Sequence, residues 1–324
     1  MAEQWEGSKI PGHFKRADGL RWEKNHISPT KLNLWSKCSA AFWFRYVLGV
    51  RKPGKVWLPQ GTAVHAGVEH LLNDLSAGVQ RDKDYYLLMV EMGWDEEVEK
   101  AKGIVYNKKG WEMTEVQKQH SLEDAQHWFS GFYDALQDGG TIDGFDPRSV
   151  TETEVDAIRQ VDWGPEGGPE TFVRGKVDWV VDVDGPVAKL ADLKTANPNP
   201  KWGWSDNKAN ATLQATAYGY LTGKPTEFDY IVIPKHPVYT DGGAVKREVK
   251  DAKPYRAKTV RTQLHYDAFV NRLRAFVRDT DLHNDYKNFR PWPNQKETNY
   301  GWCDHLCDYK EECQAHFHYP GGGN

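Results

Sequence analysis

Apolar residues recur at helical spacing from about residue 28 to near residue 150 and then change to alternation, so beyond a polar N-terminal arm the chain divides into a helical part and a strand-bearing part. Ser28 can cap a helix that opens on Pro29, and Leu32, Trp35 and Cys38 follow at helical intervals. The run Ala41-Phe42-Trp43-Phe44-Arg45-Tyr46 reads as its buried continuation. A second helix is predicted from Gly61 to Leu75, with Val64, Val68, Leu71 and Leu75 as its apolar stripe. Two amphipathic helices follow over 82–101 and 112–137, carrying Trp94, Trp128, Phe129 and Phe132.

Near residue 150 the period shortens to two. Thr151 to Val161 and Thr171 to Val183 read as strands, Asp184-Gly185 as a hairpin turn, and Val187 to Thr195 as the return strand. A helix over Ala211 to Leu221, a strand over Phe228 to Pro234 and a long helix over Gln263 to Asp279 complete the pattern. This order predicts an α/β fold, a small mixed sheet flanked by helices with a helical N-terminal region. The divisions are a flexible arm (1–27), a helical region (28–148), a strand-bearing core (149–290), a cysteine-rich end (291–319) and a disordered tail (320–324).

At 324 residues the chain can bury a core without disulfide staples. Residues 1–20 hold no apolar leader and no stretch reaches membrane-spanning length, so a cytoplasmic protein without a membrane partner is expected. A net charge of −4 does not mark a nucleic-acid binder, but whole-chain charge says little where carboxylates gather around metal ions. Local basic clusters exist, with Lys31, Lys37, Arg45, Arg51, Lys52 and Lys55 near the start and a second between Lys246 and Arg261. Each alone reads equally well as solvated surface.

The segments richest in chemistry are Gly175-Lys176-Val177-Asp178-Trp179 and Ala191-Asp192-Leu193-Lys194-Thr195. Asp192 and Lys194 are two apart on a strand and share a face. A charged pair inside the apolar run Val187, Leu190, Leu193 is costly without a purpose. Asp178, on the preceding strand, can converge on Asp192. Phosphodiester cleavage uses such a set: carboxylates bind Mg²⁺ or Mn²⁺, and a lysine orients the attacking water and stabilises the phosphate oxygens. The tripeptide D-x-K is common, and alone it reads as a salt bridge on a surface hairpin. His65 sits beside the apolar stripe of its helix, and Gln214 and Tyr218 lie one helical turn apart.

Taken in order, G-x-x-x-H (Gly61 to His65), G-x-x-D (Gly175 to Asp178), D-x-K (Asp192 to Lys194) and Q-x-x-x-Y (Gln214 to Tyr218) resemble the RecB-like branch of the PD-(D/E)XK nucleases. The resemblance implies a restriction-endonuclease-like core over 149–290. It implies His65, Asp178, Asp192 and the Leu193 carbonyl as metal ligands, Lys194 as the catalytic lysine, and Gln214 with Tyr218 as contacts to DNA or the scissile phosphate. Glu154 could approach the site from the adjacent strand, but it reads better as an ordinary strand carboxylate and is left outside this set.

Cys38 near the start and Cys303, Cys307 and Cys313 near the end resemble the iron–sulfur subset of these nucleases, which includes CRISPR-associated adaptation exonucleases and AddB-type recombination nucleases. That implies a 4Fe–4S cluster clamping the C-terminal end to the first helix. Three residues separate Cys303 from Cys307 where the subset has two, which leaves zinc open, with His305 or His316 as a ligand. Among the 14 tryptophans, Trp202 and Trp204 follow the catalytic strand beside Lys201 and are candidates for stacking on single-stranded DNA.

The expected activity is that of a metal-dependent DNA exonuclease on single strands or ends, in recombination, repair or CRISPR-adaptation-like processing, in a phage or mobile-element setting. No P-loop is present, so unwinding would need a helicase, recombinase or integrase partner. The competing reading is a catalytically inactive iron–sulfur DNA-binding module, against which the intact Asp178, Asp192 and Lys194 argue.

Overall fold

In the computed structural model, the described residues are 13–15, 21–23, 26–52, 54–107, 110–168, 170–181, 189–199, 203–223, 227–240, 245–246, 253–282, 307–309 and 311–313. They group into two compact units, each assembled from separated stretches. The first takes in the described parts of Met1–Lys52, Ala157–Gly175 and Gln263–Asn324; the second takes in those of Pro53–Asp156 and Lys176–Thr262. The contiguous divisions expected from the sequence cut across both.

In the first unit, β1 (His26–Ile27) pairs in parallel with the opening residues of β3 (Phe172–Val181). The arm expected over 1–27 therefore ends in a strand, and His13–Lys15 also pairs with Arg21–Glu23. Helix α1 (Pro29–Lys37) begins as its sequence dictates: Ser28 Oγ accepts from Lys31 N at 3.1 Å and Pro29 fills the first position. It stops at Cys38, and the aromatic run then forms a short helix Ser39–Phe42 and a π-helical turn Trp43–Val47. Phe42 meets Phe276 of α6 (Gln263–Leu282) edge to face, ring centroids 5.3 Å apart, and Trp35 does the same at 5.4 Å.

The second unit places helices over a sheet. Its strands run in the order β6 (Tyr255–Val260), β5 (Glu227–Pro234), β4 (Lys189–Ala196), β3, with β2 (Val150–Gln160) also pairing with β3. β4 lies antiparallel to β3 and parallel to β5, β6 is antiparallel to β5, and the turn expected at Asp184-Gly185 falls outside the described residues. One sheet face, with Trp179, Val181, Ala191, Leu193, Ile231 and Ile233, is continuous with the apolar stripe of α2 (Trp57–Ser76). Packed with α2 are α3 (Lys83–Lys100) and α4 (Glu115–Ala135), the latter opened by a capping box of Thr114 and Gln117. The helices approach closely because α2 is notched: a Cβ on Gly67 would lie 2.4 Å from Val90 Cγ2 and 3.0 Å from Phe129 Cδ2. Buried Asp229 is neutralised between Lys189 Nζ (2.7 Å) and Arg256 Nε (2.9 Å), tying β4, β5 and β6 together.

Candidate active site

Strand alternation sets the site. Val177, Trp179 and Val181 are buried, which turns Lys176 and Asp178 to the other face of β3. The β3–β4 register pairs Trp179 with Ala191, and one step further along it Asp178 comes opposite Asp192. There the ladder gives way to a side chain: Leu193 N donates to Asp178 Oδ2 at 3.0 Å. Lys194 shares the face of Asp192, and its ammonium pairs with Asp192 Oδ2.

Helix α5 (Leu213–Thr222) closes over this face. Thr212 caps it and left-handed Gly223 ends it. Buried Arg261 fixes its entry, donating from one guanidinium nitrogen to the Ala209 and Thr212 carbonyls, both at 2.9 Å. Gln214 then reaches the site: its Nε2 donates to Asp192 Oδ1 at 2.8 Å and to Tyr218 Oη at 3.0 Å. The one-turn spacing of Gln214 and Tyr218 gives the shared face expected of it. From α2, His65 Nδ1 comes to 3.7 Å from Asp178 Oδ2. All six side chains predicted for catalysis or metal binding thus meet in one unit.

Burial dominates the electrostatics. It pushes the Asp192 carboxyl up to about 7, helped by the neighbouring Asp178 charge and opposed by Lys194. It pushes Asp178 up to about 6, against Lys194 and the Leu193 N–H. Burial, then the Lys194 charge, lowers His65. Two carboxyls that resist ionisation and a neutral imidazole make a donor set that a divalent cation would relieve, so the residues present fit such an ion.

Glu154 of β2 is the residue that sequence reasoning left out. One of its oxygens, a His65 nitrogen and an Asp178 oxygen all lie within 4.8 Å of one another. The signal was faint, a strand carboxylate without a motif. Trp202 falls outside the described residues, while Trp204 is half-exposed and stacks on Tyr230 with centroids 4.2 Å apart. Lys208 Nζ lies 5.1 Å from the Trp204 ring centroid, and Trp204 N donates to Tyr255 Oη at 3.0 Å.

Of the cysteines, Cys38 is buried and Cys307 and Cys313 are half-buried, all within the first unit; Cys303, His305 and His316 fall outside the described residues. Tyr309 stacks on Phe44 at 5.9 Å and its hydroxyl donates to Val50 O at 3.4 Å. Glu312 pairs with Lys52, and Cys313 N donates to Tyr309 O at 2.9 Å. The end that bears Cys307 and Cys313 is therefore fastened to the segment that follows Cys38.

No helix of the described residues is long and apolar enough to cross a membrane. No curated protein matches the chain. A solved structure titled "Crystal structure of SSO0001" is 14% identical, with 90% of this chain and 87% of that chain covered and a TM-score of 0.38. A family model described as PD-(D/E)XK nuclease superfamily matches residues 26–314, a span that takes in every motif above. The chain belongs to the PD-(D/E)XK nuclease superfamily, and with it to the metal-dependent hydrolytic nucleases.

Proposed function

We propose that this protein is a divalent-metal-dependent DNA exonuclease of the RecB-like kind, acting on single strands or DNA ends. The observation that carries the reading is the meeting of His65, Asp178, Asp192 and Lys194 at one point, with Gln214 bonded to Asp192. A second feature supports an anionic substrate. Between Glu23 and Glu69 the chain has seven lysines and arginines and no acidic residue, although the whole carries a charge of −4.

His65, Asp178, Asp192 and the Leu193 carbonyl would hold Mg²⁺ or Mn²⁺. When bound, the ion supplies Lewis-acid chemistry, lowering the pKa of water and neutralising charge on the scissile phosphate. The protein's own groups do the rest. Lys194, tethered to Asp192, offers a fixed ammonium to the attacking water and to the phosphate oxygens as charge develops. Gln214 fixes the Asp192 carboxylate with one amide hydrogen and Tyr218 with the other. Trp202 and Trp204 follow β4 in the sequence, and either ring could stack on an unpaired base.

The cysteines Cys38, Cys303, Cys307 and Cys313 would hold a structural 4Fe–4S cluster, with zinc as the other candidate. Support comes from the fastening of Tyr309 and Glu312, neighbours of Cys307 and Cys313, to Phe44 and Lys52, which follow Cys38. A recombinase, helicase or integrase would supply the DNA ends, a partnership suggested by the resemblance to CRISPR-associated adaptation exonucleases and AddB-type nucleases.

The test is digestion of end-labelled linear and circular DNA, single- and double-stranded, with Mg²⁺ or Mn²⁺, by wild type and Asp192→Ala. Metal-dependent loss of linear DNA by the wild type alone is expected. Binding without cleavage under either metal would favour the inactive module, and cleavage of circles would make the enzyme an endonuclease.

A further inference from the structure

Strand β2 carries an irregularity that the reaction above does not use. Glu154 has φ of 54° in the middle of the strand. Residues with a Cβ seldom adopt this region, and it persists only where the surroundings over-determine it. Regular alternation would put Glu154 with Glu152 and Asp156, both exposed. Instead its carboxylate is half-buried and joins His65 and Asp178. The residue before it is tied to the histidine-bearing helix, Thr153 Oγ1 donating to Asn73 Oδ1 of α2 at 3.0 Å. Asp192 is not a member of this trio; Gln214 and Lys194 hold it instead.

A cation already touches the trio. Lys176 Nζ pairs with Glu154 Oε2, and the lysine side chain is 57% exposed. A long, exposed stem can swing into water at little cost. One ammonium balances only one of the two carboxylates and can take nothing from the imidazole. A divalent cation balances both and accepts the ring nitrogen, a mixed donor set better suited to Mn²⁺ than to Mg²⁺.

We propose that Glu154 is a further metal ligand, joining His65 and Asp178 in holding the ion assigned to them above, and that the Lys176 ammonium is the placeholder the cation displaces. This rests on the metal-dependent reading above. It adds a ligand outside the four motifs and a residue that sets how readily the ion enters.

The test needs no turnover: Mn²⁺ is titrated into chelator-stripped, DNA-free protein and followed by calorimetry and by the paramagnetic resonance of free Mn²⁺. Glu154→Gln is expected to lose one equivalent or to bind at least about ten-fold more weakly, with an unchanged circular dichroism spectrum. Lys176→Met is expected to bind more tightly than wild type. Glu154→Gly is expected to melt at a higher temperature than wild type without metal, because glycine adopts positive φ freely. Wild-type stoichiometry and affinity in Glu154→Gln would overturn the ligand role while leaving the nuclease reading standing. A wild type that takes up no Mn²⁺ would overturn both, and weaker binding by Lys176→Met would overturn the placeholder.

Discussion

The carboxylate site and the cysteine end solve opposite problems. The site gathers charge where burial opposes it: Asp178 and Asp192 are both pushed up, although Lys194, Gln214 and a backbone N–H support them. The cysteine end joins residues more than 250 positions apart by packing, through Tyr309 on Phe44 and Glu312 on Lys52. The first arrangement costs stability for the sake of chemistry, and the second contributes stability without taking part in it. Substitutions should therefore separate the two, one class losing rate and the other losing the fold.

The largest effect expected is on rate. Asp192→Ala should lower DNA hydrolysis by on the order of 10³-fold or more, since it removes a proposed metal ligand and the partner of Lys194. The same change should leave the melting temperature of metal-free protein unchanged or raised, because a buried carboxyl that resists ionisation is gone. Initial rates on labelled DNA beside a thermal melt in chelator check both halves. A large fall in stability would mean that the site helps hold the fold, and the contrast would fail.

Next comes the reverse case. Cys38→Ser should cost about 2–4 kcal/mol, the scale set by closing a long loop, or a melting temperature roughly 5–10 °C lower. Loss of the brown absorbance that the proposed cluster would give the wild type should accompany it. Activity per folded molecule should stay near that of wild type. A colourless wild type that melts with the variant would dispose of the cluster.

The pH dependence connects metal and stability. An acid whose pKa is raised by folding binds its proton more tightly in the native state, so its contribution is complete below the unfolded pKa near 4 and is lost as pH rises through the native value. Asp178 at about 6 and Asp192 at about 7 put that loss between about pH 4 and pH 7. Metal-free protein should melt progressively lower across that range, and Mg²⁺ should restore more at pH 8 than at pH 5. Asp192→Asn should flatten the chelator curve, and a pH-independent Mg²⁺ gain would rule out these carboxylates as ligands.

How much of this was legible depends on period. Asp192 and Lys194 are two apart on a strand, and Gln214 and Tyr218 four apart on a helix, so regular geometry carried each pair onto one face. Glu154 escaped because its positive φ breaks the alternation by which a strand residue is placed. β6 escaped for a different reason: Tyr255–Val260 carries Arg256 and Lys258 and reads as basic surface, although Arg256 Nε is bound to buried Asp229. β1 is two residues long, too short for any period to show. The start of α2 at Trp57, four residues ahead of expectation, had a signal in Pro59, since proline suits a first turn.

The smallest effect is the most discriminating within the carboxylate site. The Gln214 amide has two hydrogens, and the geometry gives one to Asp192 and one to Tyr218. If Tyr218 serves to steady Gln214, Tyr218→Phe loses one net hydrogen bond of about 1 kcal/mol, a fall of roughly five-fold in kcat with KM unchanged. Gln214→Ala should fall further, because the Asp192 oxygen loses its donor outright, and the double variant should be no worse than Gln214→Ala alone. Additive losses, or a Tyr218→Phe effect confined to KM, would instead mean that the phenol grips DNA directly. The interior setting of the phenol favours the first outcome: Tyr218 is buried, packed 6.1 Å from Phe228, and its hydroxyl is held protonated by burial and by the charge of Asp192.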